Sequence, residues 1–395
     1  MEQFRFFLRD TTARAVSIES VRREALKYLP SMIGTYIESV AEDGSTFDRN
    51  RRAFAEYAFV PRAPNGVATP DLTTSLAGVQ HGLPVLLAPT GFAGFVRPYG
   101  EIALSRAAER KGTRAILSMA TSTPVEDVAA ACNADHWFQL YPAGNRDWAT
   151  ALIDRVDKLG FTALVVTVDT AIPGKREFER ASGLGIPVRL TPSRCLDIAR
   201  HGRWAMRHLR YRRGFPVLYQ TLMQTSAEGS SPAVPSMQAA LDWDDLKWLR
   251  DKWPRKFYVK GILAPADAQR TVDDIGADGV ILSNHGGRQL DGAIAPLESL
   301  PATAALIGNK AEILIDGGIR RGSDIVKALC LGAHGVLIGR PHLYGLAYGG
   351  EEGVFTILDI LEEEMRTTMT LLGCRAVAEL GPQFLHTNRP PSSFD

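Results

Sequence analysis

The sequence predicts an α/β protein folded as a closed (β/α)8 (TIM) barrel, and three observations carry that expectation. Eight short apolar runs recur along the chain, nearly all ending in a polar residue or a glycine. Segments with helical apolar spacing separate most of them, and the alternation breaks only at the N-terminus and once in the middle. Runs that are apolar throughout belong to strands buried on both faces, as in a parallel sheet wrapped by helices.

Residues 1–75 precede the first run. "VRREALKYLP" and "SMIGTYIESVAED" have helical spacing, so this segment is expected to be a helical extension packed on the barrel, within a single domain spanning 1–395. The strands follow as "PVLLAPT" at 84–90, "RAILS" at 114–118, "WFQLY" at 137–141 and "ALVVTVD" at 163–169. Then come "KFYVK" at 256–260, "DGVILS" at 278–283, "EILID" at 312–316 and "GVLIG" at 335–339. Helical segments such as "GEIALSRAAERKG" and "SDIVKALCLG" lie between them, the second opening on Ser323 as a cap and closing at Gly332. A doubly wound open sheet is the rival architecture. It would concentrate ligand contacts at one switch point, whereas here polar residues close nearly every strand.

About 85 residues separate strands four and five, far more than an ordinary connection. At the start of this insertion (176–240), the stretch 175–213 carries eleven Lys or Arg against Glu177, Glu179 and Asp197, in a chain of formal net charge +1. Leu196, Ile198, Trp204, Met206, Leu209 and Tyr211 interleave with Arg200, Arg203, Arg207 and Arg210. That pattern fits a basic amphipathic segment lying on an anionic bilayer, over residues 185–215, and equally a solvated surface helix. Residues 225–240, rich in Ser and Pro, are expected to be a mobile loop over the active site.

With 45% hydrophobic and 23% charged residues the composition is that of an ordinary globular protein, and a net charge of +1 argues against a general nucleic-acid binder. Cys132, Cys195, Cys330 and Cys374 are too scattered for a metal cluster or a disulfide framework. No run reaches the roughly 18 apolar residues of a membrane span, and no secretory leader is visible, so the expected compartment is the cytoplasm.

The chemistry gathers at the strand ends. "DGGIRRGSD" (316–324) and "IGRP" (338–341) follow strands seven and eight, where barrels commonly bind phosphate. Gly317, Gly318 and Gly339 would offer backbone N–H groups beside the carboxylate of Asp316, while Arg320 and Arg340 would supply charge. Lys260 ends strand five inside the mouth, where a buried ammonium needs a partner or a ligand; beside a flavin it would hold the negative charge that develops on reduction. Ser118, Gln139 and Thr167 end or nearly end strands two, three and four, placed to bond a ring edge. In "SNHGGRQLDG" (283–292), His285 is a candidate base and Arg288 a candidate carboxylate clamp, with Arg176 as its partner. Asp169 is the candidate orienting carboxylate, and Tyr36 and Tyr141 are candidate hydroxyl donors.

These residues resemble the FMN-dependent L-2-hydroxy acid dehydrogenase and oxidase family over nearly the whole chain, from "LPSMIGTYIESVAEDG" to "LLGC", and "SNHGGRQLDG" is its most specific element. The resemblance implies FMN as cofactor and oxidation of a small 2-hydroxy acid to the 2-keto acid. His285 would be the base, with Asp169 its partner; Arg176 and Arg288 would clamp the carboxylate, and Tyr36 and Tyr141 would contact substrate. Pro89, Thr90, Ser118, Gln139, Thr167, Lys260 and Ser283 would contact the flavin, and Gly318, Arg320, Gly339 and Arg340 would hold the phosphate. It implies a homotetramer as well.

Two features resemble the membrane-associated dehydrogenases of the family more than its oxygen-using oxidases. One is the basic insertion; the other is Gly91, where many oxidases have alanine. "PSMQAAL", "WLRDKWP" and "RRGSDIVKALCLGA" look most like the mandelate dehydrogenase branch. A bulky or aromatic substrate is therefore expected, lactate standing second, with a membrane quinone as acceptor and attachment to the inner face of the cytoplasmic membrane. Val40 departs from a family glycine. Met119 replaces a tryptophan of glycolate oxidase and is expected to line the substrate cavity. Two other readings are an inosinate-dehydrogenase-like barrel, which lacks its nucleophilic cysteine in the loops after Lys260 and Ser283, and a noncatalytic flavin- or phosphate-binding barrel.

Overall fold

Successive strand side chains point to opposite faces, and here both faces are apolar, so the sheet has to be covered on each side. In the computed structural model, which describes residues 15–132, 135–142, 146–183, 191–211 and 241–387, the sheet closes on itself. Its strands are β1 (Val85–Leu87), β2 (Ile116–Ser118), β3 (Trp137–Leu140), β4 (Ala163–Thr167), β5 (Lys256–Ile262), β6 (Gly279–Leu282), β7 (Glu312–Ile315) and β8 (Gly335–Ile338). Each is parallel to the next from β2 to β8, β8 pairs with β1, and a bridge from Leu87 to Ala115 joins β1 to β2. This is the expected (β/α)8 barrel, with seven strands inside the runs read from sequence and β5 running two residues past its run, so that Lys260 lies within the strand and does not end it.

Alternate residues divide the core in two. Leu86, Ile116, Trp137, Val165, Tyr258, Ile281, Leu314 and Leu337 fill the barrel interior, where the Trp137 and Tyr258 rings stack 4.7 Å apart. Their neighbours, such as Leu87, Phe138, Val166, Val259 and Ile315, face the helices. The interior is a packed plug, so ligands are confined to the C-terminal mouth.

The N-terminal extension is only partly helical. Helices Ile18–Tyr28, Ser31–Glu38 and Ser45–Ala55 are followed by a strand, Tyr57–Phe59, antiparallel to Leu385–Thr387 near the other end of the chain. A hairpin of Thr74–Leu76 and Val79–His81 then closes the bottom of the barrel, with Leu76 in the interior core and the Ala77 N–H donating to the Glu312 carboxylate (2.8 Å). These short strands escape periodicity because three residues do not complete a pattern.

In the insertion, helices Glu177–Ser182, Pro192–Arg200 and Gly202–Arg210 precede helix Trp243–Lys252. Its apolar face is split. Trp204 is 4% exposed and its Nε1–H donates to the Phe95 carbonyl (2.9 Å), so it anchors the helix to the barrel instead of facing outward with the rest. Leu196, Met206 and Leu209 remain exposed, Leu209 by 78%. The expected loop at 225–240 lies outside the described residues.

Candidate active site

His285, Gly286 and Gly287 follow β6 in three successive left-handed conformations, φ 58, 64 and 75°. For histidine that backbone is strained, and only surrounding contacts keep it. Those contacts come from the N-terminal extension. A Cβ on Gly287 would lie 2.7 Å from the Phe47 nitrogen, and the side chains of Asn284 and Asn50 exchange amide hydrogen bonds of 2.8 and 2.7 Å in the core.

The turn brings His285 Nδ1 to 3.0 and 3.2 Å from the two carboxylate oxygens of Asp169. Gly261 makes room for that carboxylate: a Cβ there would come within 2.8 Å of Asp169 Cβ. Burial pushes the Asp169 carboxyl up, but the adjacent imidazole and the Lys260 ammonium hold it below the ordinary carboxylate range. An ionised Asp169 selects the Nδ1–H tautomer and leaves the His285 Nε2 lone pair toward the cleft.

Lys260 is buried, donates to Ser283 Oγ (2.7 Å) and pairs with Asp316 Oδ2 (2.9 Å). Burial would lower its pKa, yet Asp316 and Asp169 raise it above the usual value, so it is an ammonium. Arg288 donates through Nη1 to the carbonyls of Tyr36 (2.8 Å) and Ser39 (3.1 Å), and through Nη2 to Glu179 Oε2 (2.9 Å). Arg176 donates to the Arg288 carbonyl (3.1 Å) and to Gln289 Oε1 (2.9 Å). Gln289 completes the joint by donating to the carbonyls of Asp169 (2.8 Å) and Ile172 (3.0 Å). Tyr36 donates to the Gly91 carbonyl (3.0 Å); burial raises the pKa of Tyr36 and Tyr141 and keeps both protonated.

One cleft is lined by Tyr36, Pro89, Thr90, Gly91, Tyr141, Arg176, Lys260, His285, Arg288, residues 316–320, Gly339 and Arg340. Ser118, Gln139, Thr167 and Ser283 lie buried beneath it. Met119 does not line it. The chain turns after β2, Met119 joins the outer core, and Ala120 takes the cavity position.

At the far end, Gly317 and Gly318 are left-handed (φ 89 and 83°), and a Cβ on Gly318 would strike the Asn50 carbonyl at 2.2 Å. The nearest atom to a Cβ on Gly339 is 4.0 Å away, so that side is open. The helix after Arg320 starts at Gly322, not Ser323. Asp324 supplies the cap, accepting the Arg320 and Arg321 N–H groups at 2.9 and 3.0 Å, and the helix Glu351–Leu372 leaves no room for a side chain at Gly322. Arg340 donates to the carbonyls of Ile37, Gly286 and Ser39, all at 2.9 Å, and burial pushes its pKa down to about 9. Neither Arg320 nor Arg340 has a carboxylate ion pair among the described residues.

Eight buried side-chain polar atoms have no hydrogen-bond partner among the described residues, and three of them, Gln139 Nε2, Thr167 Oγ1 and Asp316 Oδ1, lie together under this cleft. Orphans of this kind are rare in folded proteins, and three gathered at the mouth of one barrel fit a polar ligand there. They ring the strand ends, while the unpaired arginines sit beside Gly318 and Gly339.

Sequence reasoning missed Glu179, Gln289 and His342. Glu179 counted only as a charge, and Gln289 lay inside the singled-out loop without a role. His342, fully buried, donates from Nδ1 to the Ile338 carbonyl (2.7 Å) and so accepts the Thr90 hydroxyl at Nε2 (2.9 Å). Burial pushes its pKa down from 6.5 to about 4. The unfolded chain takes up a proton that folded His342 refuses, so this contribution is complete above pH 6.5 and is lost as pH falls toward 4, by about 3 kcal/mol. The melting temperature is expected to drop over that window, and less steeply for His342→Gln.

The FMN-dependent dehydrogenase family pattern matches residues 25–387. The (S)-mandelate dehydrogenase of Pseudomonas putida is 41% identical, the match covering 95% of this chain and 96% of that one. An L-lactate dehydrogenase of Caulobacter vibrioides is 39% identical, covering 95% and 98%. A crystal structure of the monotopic membrane protein (S)-mandelate dehydrogenase superposes with a TM-score of 0.87 at 39% identity, covering 94% of this chain and 99% of that one.

Proposed function

From the premise that this chain belongs to the FMN-dependent dehydrogenase family, with FMN as its cofactor, we propose that it oxidises an L-2-hydroxy acid to the 2-keto acid with His285 as base. The observation that carries the reading is the His285–Asp169 pair facing one cleft with Arg176 and Arg288. FMN, when bound, would supply the acceptor for the two electrons and the second substrate hydrogen, together the equivalent of a hydride. His285 takes the substrate proton at Nε2; Asp169 stabilises the imidazolium that forms and keeps the ring in place. The two arginines hold the substrate carboxylate, and Tyr141 donates its hydroxyl toward the reacting oxygen.

The donor set fits FMN. Gln139 Nε2 and Thr167 Oγ1 await partners for a polar ring edge, and Lys260 can balance negative charge there. Asp316 Oδ1 accepts from a hydroxyl. Two arginines without ion pairs match a phosphate of charge about −1.5 to −2, beside the Gly318 and Gly339 amides. Anaerobic mixing of the yellow protein with L-mandelate, L-lactate and glycolate tests the reaction. Bleaching of the visible flavin band is expected, fastest with L-mandelate, the substrate of the 41%-identical relative. No bleaching with any of them rejects it.

The acceptor we propose is a membrane quinone. No described helix is long and apolar enough to cross a membrane, but Leu196, Met206 and Leu209 are exposed among Arg194, Arg200, Arg203, Arg207 and Arg210. Trp204 binds its helix to Phe95, in the short helix Ala93–Val96 that directly follows Gly91 and Phe92 in the cleft wall. Peripheral attachment beside the mouth would bring a lipid-soluble acceptor close to the flavin. The protein is expected to sediment with anionic liposomes at low salt and much less at high salt. Unchanged sedimentation of a Leu196→Ser/Met206→Ser/Leu209→Ser variant rules this surface out.

A further inference from the structure

Glu179 lines the cleft mouth, yet the proposed reaction does not use it. It stands between the two clamp arginines: Oε2 accepts from Arg288 Nη2 at 2.9 Å and from Ser39 Oγ at 2.8 Å, while Oε1 lies 3.6 Å from Arg176 Nη1. All three charged side chains are only 15–21% exposed. Burial first, and Arg288 second, lower the Arg176 pKa, so the guanidinium groups feel each other. Arg288 keeps Nε and one Nη2 hydrogen free of any protein partner among the described residues, enough to hold a carboxylate.

We infer that Glu179 is a charge selector: it cancels one of the two guanidinium charges, so the clamp presents one net positive charge and accepts a single carboxylate while repelling a second. This rests on the proposed oxidation of a 2-hydroxy acid and narrows its substrate class to monocarboxylates. A unit charge about 5 Å away, at an effective dielectric constant near 20, is worth on the order of 10²-fold in affinity. Discrimination of that size follows from one carboxylate, without any steric barrier. Glu179 acts here on specificity through Arg176 and Arg288 and takes no part in proton transfer.

The test is a titration of the FMN holoenzyme, followed by the visible flavin spectrum, with acetate as monoanion and malonate as dianion. It is run on wild type, Glu179→Gln and Glu179→Asp. Beside it, flavin bleaching is compared for L-malate and L-lactate. In Glu179→Gln the ratio of malonate to acetate affinity, and of L-malate to L-lactate bleaching efficiency, is expected to rise on the order of 10²-fold. Glu179→Asp, which keeps the charge, is expected to stay near wild type. An unchanged binding ratio in Glu179→Gln, or an equal rise in Glu179→Asp, overturns the inference. If the binding ratio shifts while no hydroxy acid bleaches any of the proteins, the charge selector stands and the proposed reaction falls.

Discussion

His285→Gln is expected to slow anaerobic flavin reduction by the preferred 2-hydroxy acid on the order of 10⁴-fold, at the upper end of what a positioned base contributes. Glutamine can keep a hydrogen bond to Asp169, which His285 Nδ1 meets at 3.0 Å, but it offers no basic nitrogen to the cleft. FMN should stay bound, since the Lys260–Asp316 pair and the glycine loops at 317–318 and 339 are untouched. Stopped-flow absorbance at the flavin band measures the effect. Reduction within tenfold of wild type would remove His285 from its role.

Lys260→Met is expected to act on stability as strongly as His285→Gln acts on rate. It leaves Asp316, whose Oδ1 already lacks a partner, as an uncompensated buried carboxylate, at a cost of about 3–5 kcal/mol. Urea unfolding of the apoprotein reads this directly. Lys260→Met/Asp316→Asn should recover a large part of the loss while the flavin reduction potential stays lowered, because the cation near the ring is still missing. A single variant as stable as wild type would mean that Asp316 finds another partner or a proton.

Much of this was legible in the residues because it is written locally. A strand buried on both faces needs a continuous apolar run, so every barrel strand starts within a run and only β5 outruns its own, by two residues. The paired glycines after His285 reported their purpose only in part. The sequence shows only that they space His285 from Arg288, whereas the structure ties them to left-handed backbone and to the approach of Phe47 from more than 230 positions away. Met119 is expected in the cavity from the tryptophan it replaces in glycolate oxidase; here the turn after β2 puts it in the outer core and Ala120 in the lining. Trp204 was read as part of an outward apolar face, and only its partner Phe95, far away in sequence, reveals the inward half.

Taken alone, the sequence determined the barrel, the end of it that binds ligand, and the residue types gathered there: one imidazole, two guanidinium groups, a lysine and glycine-lined loops. Periodicity, strand length and glycine placement are short-range properties, and a single chain displays them. The tertiary structure decided which groups touch. It set Asp169 against His285, gave both clamp arginines a shared counter-ion in Glu179, joined them through Gln289, and left Gln139, Thr167 and Asp316 with unpaired atoms. Such pairings depend on distances of a few ångströms between segments up to hundreds of residues apart, and no local pattern encodes them.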